Sequence, residues 1–316
     1  GEAHLAGTGG CKIGKRPTDL HQRAMEVLGA RVLEEEGTIS ARADHPKGTV
    51  LCFPKKSVGA TENAILFAVG AEGTTRLEFC AREPEIVHLC RFLRAMGADI
   101  TGEGTEQITI SGRRGKTAFS GCRYVVPGDR IAAGTYLLMG AATRGRVVLL
   151  DAPLEEMGSV LSLYQKIGGQ YARKSGTLIA DSEKVQYAVP HVETAEYPGF
   201  PTDLQSLYLA AAVTLEGRSC ICENVFEDRL RTAQELQKMG AMLQICGKWI
   251  NTKKSRLHGA DVVSRDLRGG AALVSAALAA EGFSTVQKTE FIERGYERFP
   301  ETLRELGADI IVEKEV

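Results

Sequence analysis

Four times along the chain an apolar run closes on a glycine. The runs are AILFAVGAEG, YLLMGAATRG, LYLAAAVTLEG and LVSAALAAEG, and they end at Gly73, Gly145, Gly217 and Gly282, in steps of 72, 72 and 65 residues. A second signature follows each: RAMGADI, YQKIGGQ, QKMGAML and RELGADI, centred on Gly97, Gly168, Gly240 and Gly307. An earlier EVLGARV, around Gly29, matches only the second signature and implies a copy whose first half is lost. Repetition on this scale restricts the fold more than composition does.

Each unit predicts a buried helix, a glycine turn, a strand, an amphipathic helix, a glycine C-cap and two strands. Apolar residues recur at three- and four-residue spacing, as in IVHLCRFLRAM, and a glycine after the last helical residue is a stop signal. Stretches such as RVVLLDA and ADIIVE read as strands. Solenoid units usually run about 20 to 50 residues; these are longer and suit βαβαββ folds packed around a shared centre. Four and a half such units predict two α/β domains, residues 1–125 and 126–316, with the first incomplete. The apolar first helices are expected inside, with sheets packed around them. Their N-terminal turns, SVGATEN, PGDRIAAG, FPTDLQ and SRDLRGG, each carry Ser or Asp. Helix N-termini attract anions through free N–H groups and the helix dipole, so several converging turns would form a phosphate site without a Walker motif.

Net charge is −1, so no bulk field draws the chain to nucleic acid or a membrane. No apolar run approaches the roughly 20 residues that span a bilayer, and GEAHLAG shows no signal-peptide pattern. The eight cysteines form no CxxC pair, which argues against zinc; scattered thiols favour a reducing cytoplasm. Cys11 stands apart in GTGGCKIGKRP, with Gly9 and Gly10 before it and Lys12, Lys15 and Arg16 after it. Free cysteine is commonly small apolar filler, but neighbouring cations favour the reactive thiolate, and both readings stay open on spacing alone.

The stretches GGCKIGKRPTDLH, KKSVGATEN, AREPEIV, FPTDLQ, NVFEDR, RDLRGGAAL and IERGYER, in that order, closely resemble the motifs of the UDP-N-acetylglucosamine 1-carboxyvinyltransferase family. The resemblance implies an enolpyruvyl transferase fold: two inverted α/β barrels of βαβαββ units, with the active site in the cleft between them. It implies transfer of the enolpyruvyl group of phosphoenolpyruvate to the 3′-hydroxyl of UDP-N-acetylglucosamine, releasing phosphate, at the first committed step of peptidoglycan synthesis. Roughly the first hundred residues of the family pattern, with a lysine that contacts phosphoenolpyruvate, are missing from the match. Two small molecules are the expected partners. No metal, other cofactor, nucleic acid, membrane or obligate protein partner is expected.

By the same resemblance, Cys11 delivers a proton to the methylene carbon, from a loop that closes over substrate, and is the target of fosfomycin. Asp203 is the general base at the sugar hydroxyl; the plain alternative is a helix N-cap. Arg16, Arg229, Arg268 and Arg294 match the arginines that hold the phosphate and carboxylate, for which the guanidinium fork is suited. Arg229 and Arg294 each lie 12 residues after a repeat glycine, Gly217 and Gly282. Asp266 is a second acid/base or orienting candidate. Pro17, Asp19, Leu20 and His21 match uracil and ribose contacts, although a histidine like His21 is commonly an ordinary surface residue. Lys55, Ser57, Val58 and Gly59 match diphosphate contacts, and Val225 a sugar contact. Glu83 and Glu85 fit the pattern without an assigned role. The sequence departs from the family at Thr8, at Ala132 and at Gly269-Gly270, where the doubled glycine is expected to loosen a helix start by about 1 kcal/mol per residue. Two alternatives remain: a 3-phosphoshikimate 1-carboxyvinyltransferase, against which the Cys11 loop and RPTDLH argue, and an inactive truncated paralogue that binds the nucleotide sugar as a sensor or scaffold.

Overall fold

A computed structural model describes residues 1–7, 17–113 and 119–313, apart from the side chains of residues 227 and 228. The half-copy comes first: β1 (Glu2–Ala6), α1 (Asp19–Val27), β2 (Arg31–Glu35) and β3 (Thr38–Arg42) form a sheet of order β1-β3-β2. The first full unit follows as β4 (Val50–Cys52), α2 (Val58–Val69), β5 (Thr74–Glu78), α3 (Pro84–Ala95), β6 (Asp99–Thr101) and β7 (Gln107–Ser111). Its sheet has the order β4-β5-β7-β6, with β4 parallel to β5 and the hairpin closing antiparallel. The half-copy therefore repeats the latter part of a full unit, strand for strand.

The second unit contributes α4 (Arg130–Thr143), β8 (Arg146–Leu149), α5 (Gly158–Lys166), β9 (Gln170–Lys174) and β10 (Thr177–Asp181), in the order β8-β10-β9. The third is complete: β11 (His191–Glu193), α6 (Gln205–Ala212), β12 (Arg218–Cys222), α7 (Arg231–Lys238), β13 (Leu243–Cys246) and β14 (Trp249–Lys253), again in the order β11-β12-β14-β13. The last has β15 (Asp261–Val263), α8 (Leu267–Ala279), parallel β16 (Thr285–Gln287) and α9 (Phe299–Glu305). ADIIVE, predicted as a strand, is not one. In the complete units the corresponding strand is held by its own hairpin partner, β7 or β14; among the described residues no strand pairs with 308–313, and a strand without a ladder leaves its backbone groups to water.

The signature glycines have a shared geometric cause. Eight of the nine, all but Gly145, have φ between +86° and +102°, a region closed to most residues with a β-carbon. At Gly145 the left-handed residue is instead Arg144, one position earlier, at φ 61°. Its guanidinium Nη1 donates to the Ala141 carbonyl and Nη2 to the Thr214 carbonyl (3.1 Å), closing the helix end with a side chain.

The chain divides into two compact units. One holds the described residues up to Val126 together with Glu196–Pro198; the other holds Pro127–Ala195 and the residues from Gly199 onward. A division at 125/126 into two continuous segments misses the Glu196–Pro198 excursion. It is anchored where Tyr197 N donates to Glu83 Oε1 (3.3 Å) and where Glu196 lies 3.6 Å from Lys56 Nζ.

The second unit has its core in the apolar helices. Helices α4, α6 and α8 pack on one another, and all eight residues of α6 are buried. Each buried Leu or Tyr there contributes roughly 1.5–3 kcal/mol of apolar burial. Helix α2, expected to be equally internal, is not: Leu66 is 51% exposed. In its unit α2 packs against the shorter α1 and amphipathic α3, and among the described residues of that unit no sister apolar helix covers the remaining face.

Candidate active site

The turns before the three apolar helices of the second unit are built differently. Asp129 caps α4, its Oδ1 accepting from Ile131 N (2.7 Å) and Ala132 N (3.1 Å). Asp266, only 4% exposed, caps α8 through Oδ1, from Arg268 N (3.1 Å) and Gly269 N (2.8 Å). Asp203 caps no helix among the described residues. It lies in the 3₁₀ turn Thr202–Leu204, and Oδ1 accepts from Arg229 Nη2 and lies 4.0 Å from Arg268 Nε. The capping alternative for Asp203 is thus replaced by an ion pair. For Asp266, expected as an acid/base or orienting group, one of the two cap donors is the main chain of Arg268.

Asp203 and its two guanidinium neighbours form a partly desolvated cluster, with Arg229 at 3% exposure. The Arg268 guanidinium lies 5.1 Å from the Tyr296 ring centroid, and Tyr296 shares a 2.8 Å hydrogen bond with Thr135 of α4. Burial works against the Arg268 charge, but Tyr296 and Asp203 outweigh it and its pKa stands above the ordinary value. Burial raises the Tyr296 phenol, which Arg268 partly offsets. Arg229 Nε and Nη1, Arg268 Nη1 and Gln205 Nε2 are buried without a hydrogen-bond partner among the described residues. Leaving such donors unmatched costs free energy; an anion that accepts from them would recover it.

Arg294 ends a 3₁₀ segment (Thr289–Arg294) before α9, as Arg229 belongs to the 3₁₀ segment Glu227–Leu230 before α7. Repeat equivalence thus holds in the backbone. Burial does not follow it: Arg294 is exposed and stacks on Phe291 at 5.2 Å. The doubled glycine is closely enclosed. A β-carbon at Gly269 would collide with Thr232 Oγ1, and one at Gly270 with Ser264 Oγ, so both glycines are set by packing. Val225 is 45% exposed and donates its N–H to Glu223.

In the first unit two helix starts meet. Ser57 caps α2, accepting from Ala60 N (3.4 Å), and Gly59 in the first turn faces the His21 ring of α1, where an added β-carbon would stand 3.1 Å from Cε1. His21 Nδ1 lies 2.7 Å from the Asn63 side-chain amide. It is a half-buried, hydrogen-bonded histidine and not an ordinary surface one. Pro17, Asp19 and Lys55 are exposed, and Val58 is half-buried against the core. Leu20, expected at the uracil and ribose, is turned into the core at 5% exposure, leaving only its main chain for a ligand. Cys11 and Arg16, like the departure at Thr8, lie outside the described residues.

Burial lowers the His21 pKa, with Asp19 opposing. The unfolded chain therefore takes up the proton first as pH falls below its ordinary 6.5; the contribution is full above that pH and is lost towards the lowered folded value. Between pH 7 and pH 5, His21→Gln should lose less urea stability than the wild type. Equal losses would remove His21 as the cause.

Glu223, Gln205 and Tyr296 belong to this cluster and its surroundings without standing out in the sequence. Gln205 and Tyr296 stand inside FPTDLQ and IERGYER. Glu223 directly follows the buried end of β12, and a carboxylate at a buried strand end was the available signal. Burial raises the Cys80 and Cys90 thiols to about 12, which makes them unreactive.

The protein-family model described as EPSP synthase (3-phosphoshikimate 1-carboxyvinyltransferase) matches residues 2–303. A UDP-N-acetylglucosamine 1-carboxyvinyltransferase of Nitratidesulfovibrio vulgaris is 42% identical over 316 residues, 100% of this chain and 75% of that protein. One from Koribacter versatilis is 40% identical over 311 residues, 98% of this chain and 71% of that protein. Those shares, and not a loss of a hundred residues, are what the comparison gives. Among solved structures, the enolpyruvyl transferase NikO from Streptomyces tendae superposes with a TM-score of 0.84 at 23% identity, over 98% of this chain and 73% of that one. An EPSP synthase from Acinetobacter baumannii gives 0.70 at 23%, over 97% and 74%. At that identity the two structures speak to the fold alone.

Proposed function

The chain belongs to the EPSP synthase family and has its enolpyruvyl transferase fold, and from that premise we propose that it transfers the enolpyruvyl group of phosphoenolpyruvate to the 3′-hydroxyl of UDP-N-acetylglucosamine, releasing phosphate at the entrance to peptidoglycan synthesis. The family description names a shikimate acceptor; the relatives at 40% and 42% identity, matched over nearly the whole chain, name the nucleotide sugar. The observation that carries the reading is the Arg229–Arg268 pair on Asp203, Arg229 buried and Arg268 half-buried, with N–H groups unmatched among the described residues.

In this reading the sugar 3′-oxygen bonds to C2 of phosphoenolpyruvate while C3 takes a proton from Cys11. The C2–O bond to phosphate then breaks as C3 returns that proton. Both guanidinium contacts of Asp203 fall on Oδ1, and the side chain is 40% exposed, which leaves Oδ2 to accept the sugar proton. Arg229 and Arg268 offer fork donors to phosphate and carboxylate oxygens, with Arg16 and Arg294 as further cations. Asp266 sets the Arg268 main chain, and Val225 meets the sugar. Pro17, Asp19, His21 and the Leu20 main chain serve the nucleoside; Lys55, Ser57, Val58 and Gly59 serve the diphosphate. Among the described residues no helix is long and apolar enough to cross a membrane, and the seven described cysteines are free; the compartment proposed is the cytoplasm.

Phosphate release with phosphoenolpyruvate and UDP-N-acetylglucosamine tests this directly. Release is expected with that acceptor and not with 3-phosphoshikimate; nucleotide binding without release would leave an inactive binder. Fosfomycin should add its mass to the peptide carrying Cys11, and Cys11→Asp should abolish the adduct while keeping some turnover. An adduct on another cysteine would sink the assignment of the loop.

A further inference from the structure

We propose that Glu223 is a positioning residue, holding both members of the Arg229–Asp203 pair from a single carboxylate oxygen; the role rests on the enolpyruvyl-transfer reading. Glu223 is 3% exposed. Its Oε1 accepts four hydrogen bonds: from Thr194 Oγ1 (3.0 Å), Thr202 Oγ1 (2.9 Å), Val225 N (2.8 Å) and Phe226 N (3.0 Å). Oε2 is buried and has no partner among the described residues.

Two of those four donors lead to the reacting groups. Thr202 adjoins Asp203 in the same 3₁₀ turn. Phe226 places its ring 5.3 Å from the Arg229 guanidinium. One oxygen therefore fixes the turn that aims the carboxylate and the turn whose ring backs the arginine. Further bonds stiffen this node: Thr194 Oγ1 also accepts from Asn224 N (2.9 Å), and the Glu223 N–H donates to the Lys248 carbonyl (2.9 Å). Among the described residues no hydrogen bond or ion pair joins Glu223 to Asp203 or Arg229, so it acts through others. Four donors on Oε1 hold it as an acceptor, a job an amide oxygen also performs.

The test uses Glu223→Ala, Glu223→Gln and Thr202→Val in the full chain, read by phosphate release with phosphoenolpyruvate and UDP-N-acetylglucosamine. Misplacing a reacting group by about 1 Å can cost on the order of 100-fold, so E223A should lose about that factor in kcat with a smaller change in KM. E223Q keeps the acceptor and should recover to within about tenfold of wild type. T202V releases only the Asp203 arm and should fall between the two. The pH profile should keep its shape in E223Q. A second readout does not depend on turnover: the Arg229 Nε–H signal in nitrogen-15 NMR should persist in wild type and E223Q and exchange away in E223A. If E223A is too unstable to assay, E223Q and T202V still decide. E223Q as deficient as E223A, with a pH limb lost, would make Glu223 an acid–base group and overturn positioning. So would an E223A with wild-type kcat, or T202V at wild-type rate. A wild type that releases no phosphate defeats the transferase reading, and the Arg229 signal alone then supports or overturns the positioning role.

Discussion

Arg229→Met should lower kcat/KM for phosphate release about 1,000-fold while leaving the melting temperature nearly unchanged. The activity loss follows from removing preorganised donors aimed at developing charge, typically worth about 100- to 1,000-fold each. The retained stability follows from the asymmetry of the pair. Arg229 is 3% exposed, whereas the Asp203 side chain is 40% exposed. Without Arg229 the carboxylate keeps water, and methionine fills the vacated volume; apolar replacement of buried ionic groups is often neutral or stabilising. Asp203→Ala reverses the balance. It leaves a guanidinium buried with Nε and Nη1 already unmatched, at a cost of about 3 kcal/mol. That variant should be inactive and also markedly less stable. Denaturant titration beside phosphate-release kinetics separates the two, and equal stability losses would refute the reading of this cluster.

Gly168→Ala should destabilise the second unit by roughly 2–4 kcal/mol, whereas Gly217→Ala in the same unit should cost roughly 1–2 kcal/mol. Both glycines have left-handed φ, +102° and +91°. The difference is in the surroundings. A β-carbon at Gly168 would collide with the Lys184 carbonyl, which is backbone and cannot step aside; at Gly217 nothing lies within 4 Å. Backbone strain is common to both, and overpacking falls on one. Thermal melts of the two variants should therefore differ by several degrees, and coincident melts would count against the packing at the end of α5.

These glycines also mark what the sequence could reveal. A residue type that alone tolerates φ near +90° leaves its spacing visible in the letters, so the repeat and the βαβαββ order were legible. Gly145 was legible as a position but not as a geometry, because Arg144 adopts the left-handed turn and closes it with a guanidinium. ADIIVE carries β-branched residues, but a strand is a property of its partner as much as of itself. Asp203 could be picked out as a candidate carboxylate, yet its pairing with guanidinium groups depends on the 3₁₀ turn Thr202–Leu204. Glu223 stayed hidden for the same reason: its four donors come from three separate stretches of chain, and no local pattern joins them.

The interlocked apolar helices of the second unit have a practical corollary. Asp129 and Asp266 sit at the starts of α4 and α8, Gln205 opens α6, and Arg268 occupies the first turn of α8. The polar ends thus belong to the same rods whose middles form the most protected interior of that unit. Heating cannot blur this end of the unit while sparing the interior behind it, so the Asp203–Arg229–Arg268 arrangement and the cooperative folding of the unit should disappear at one temperature.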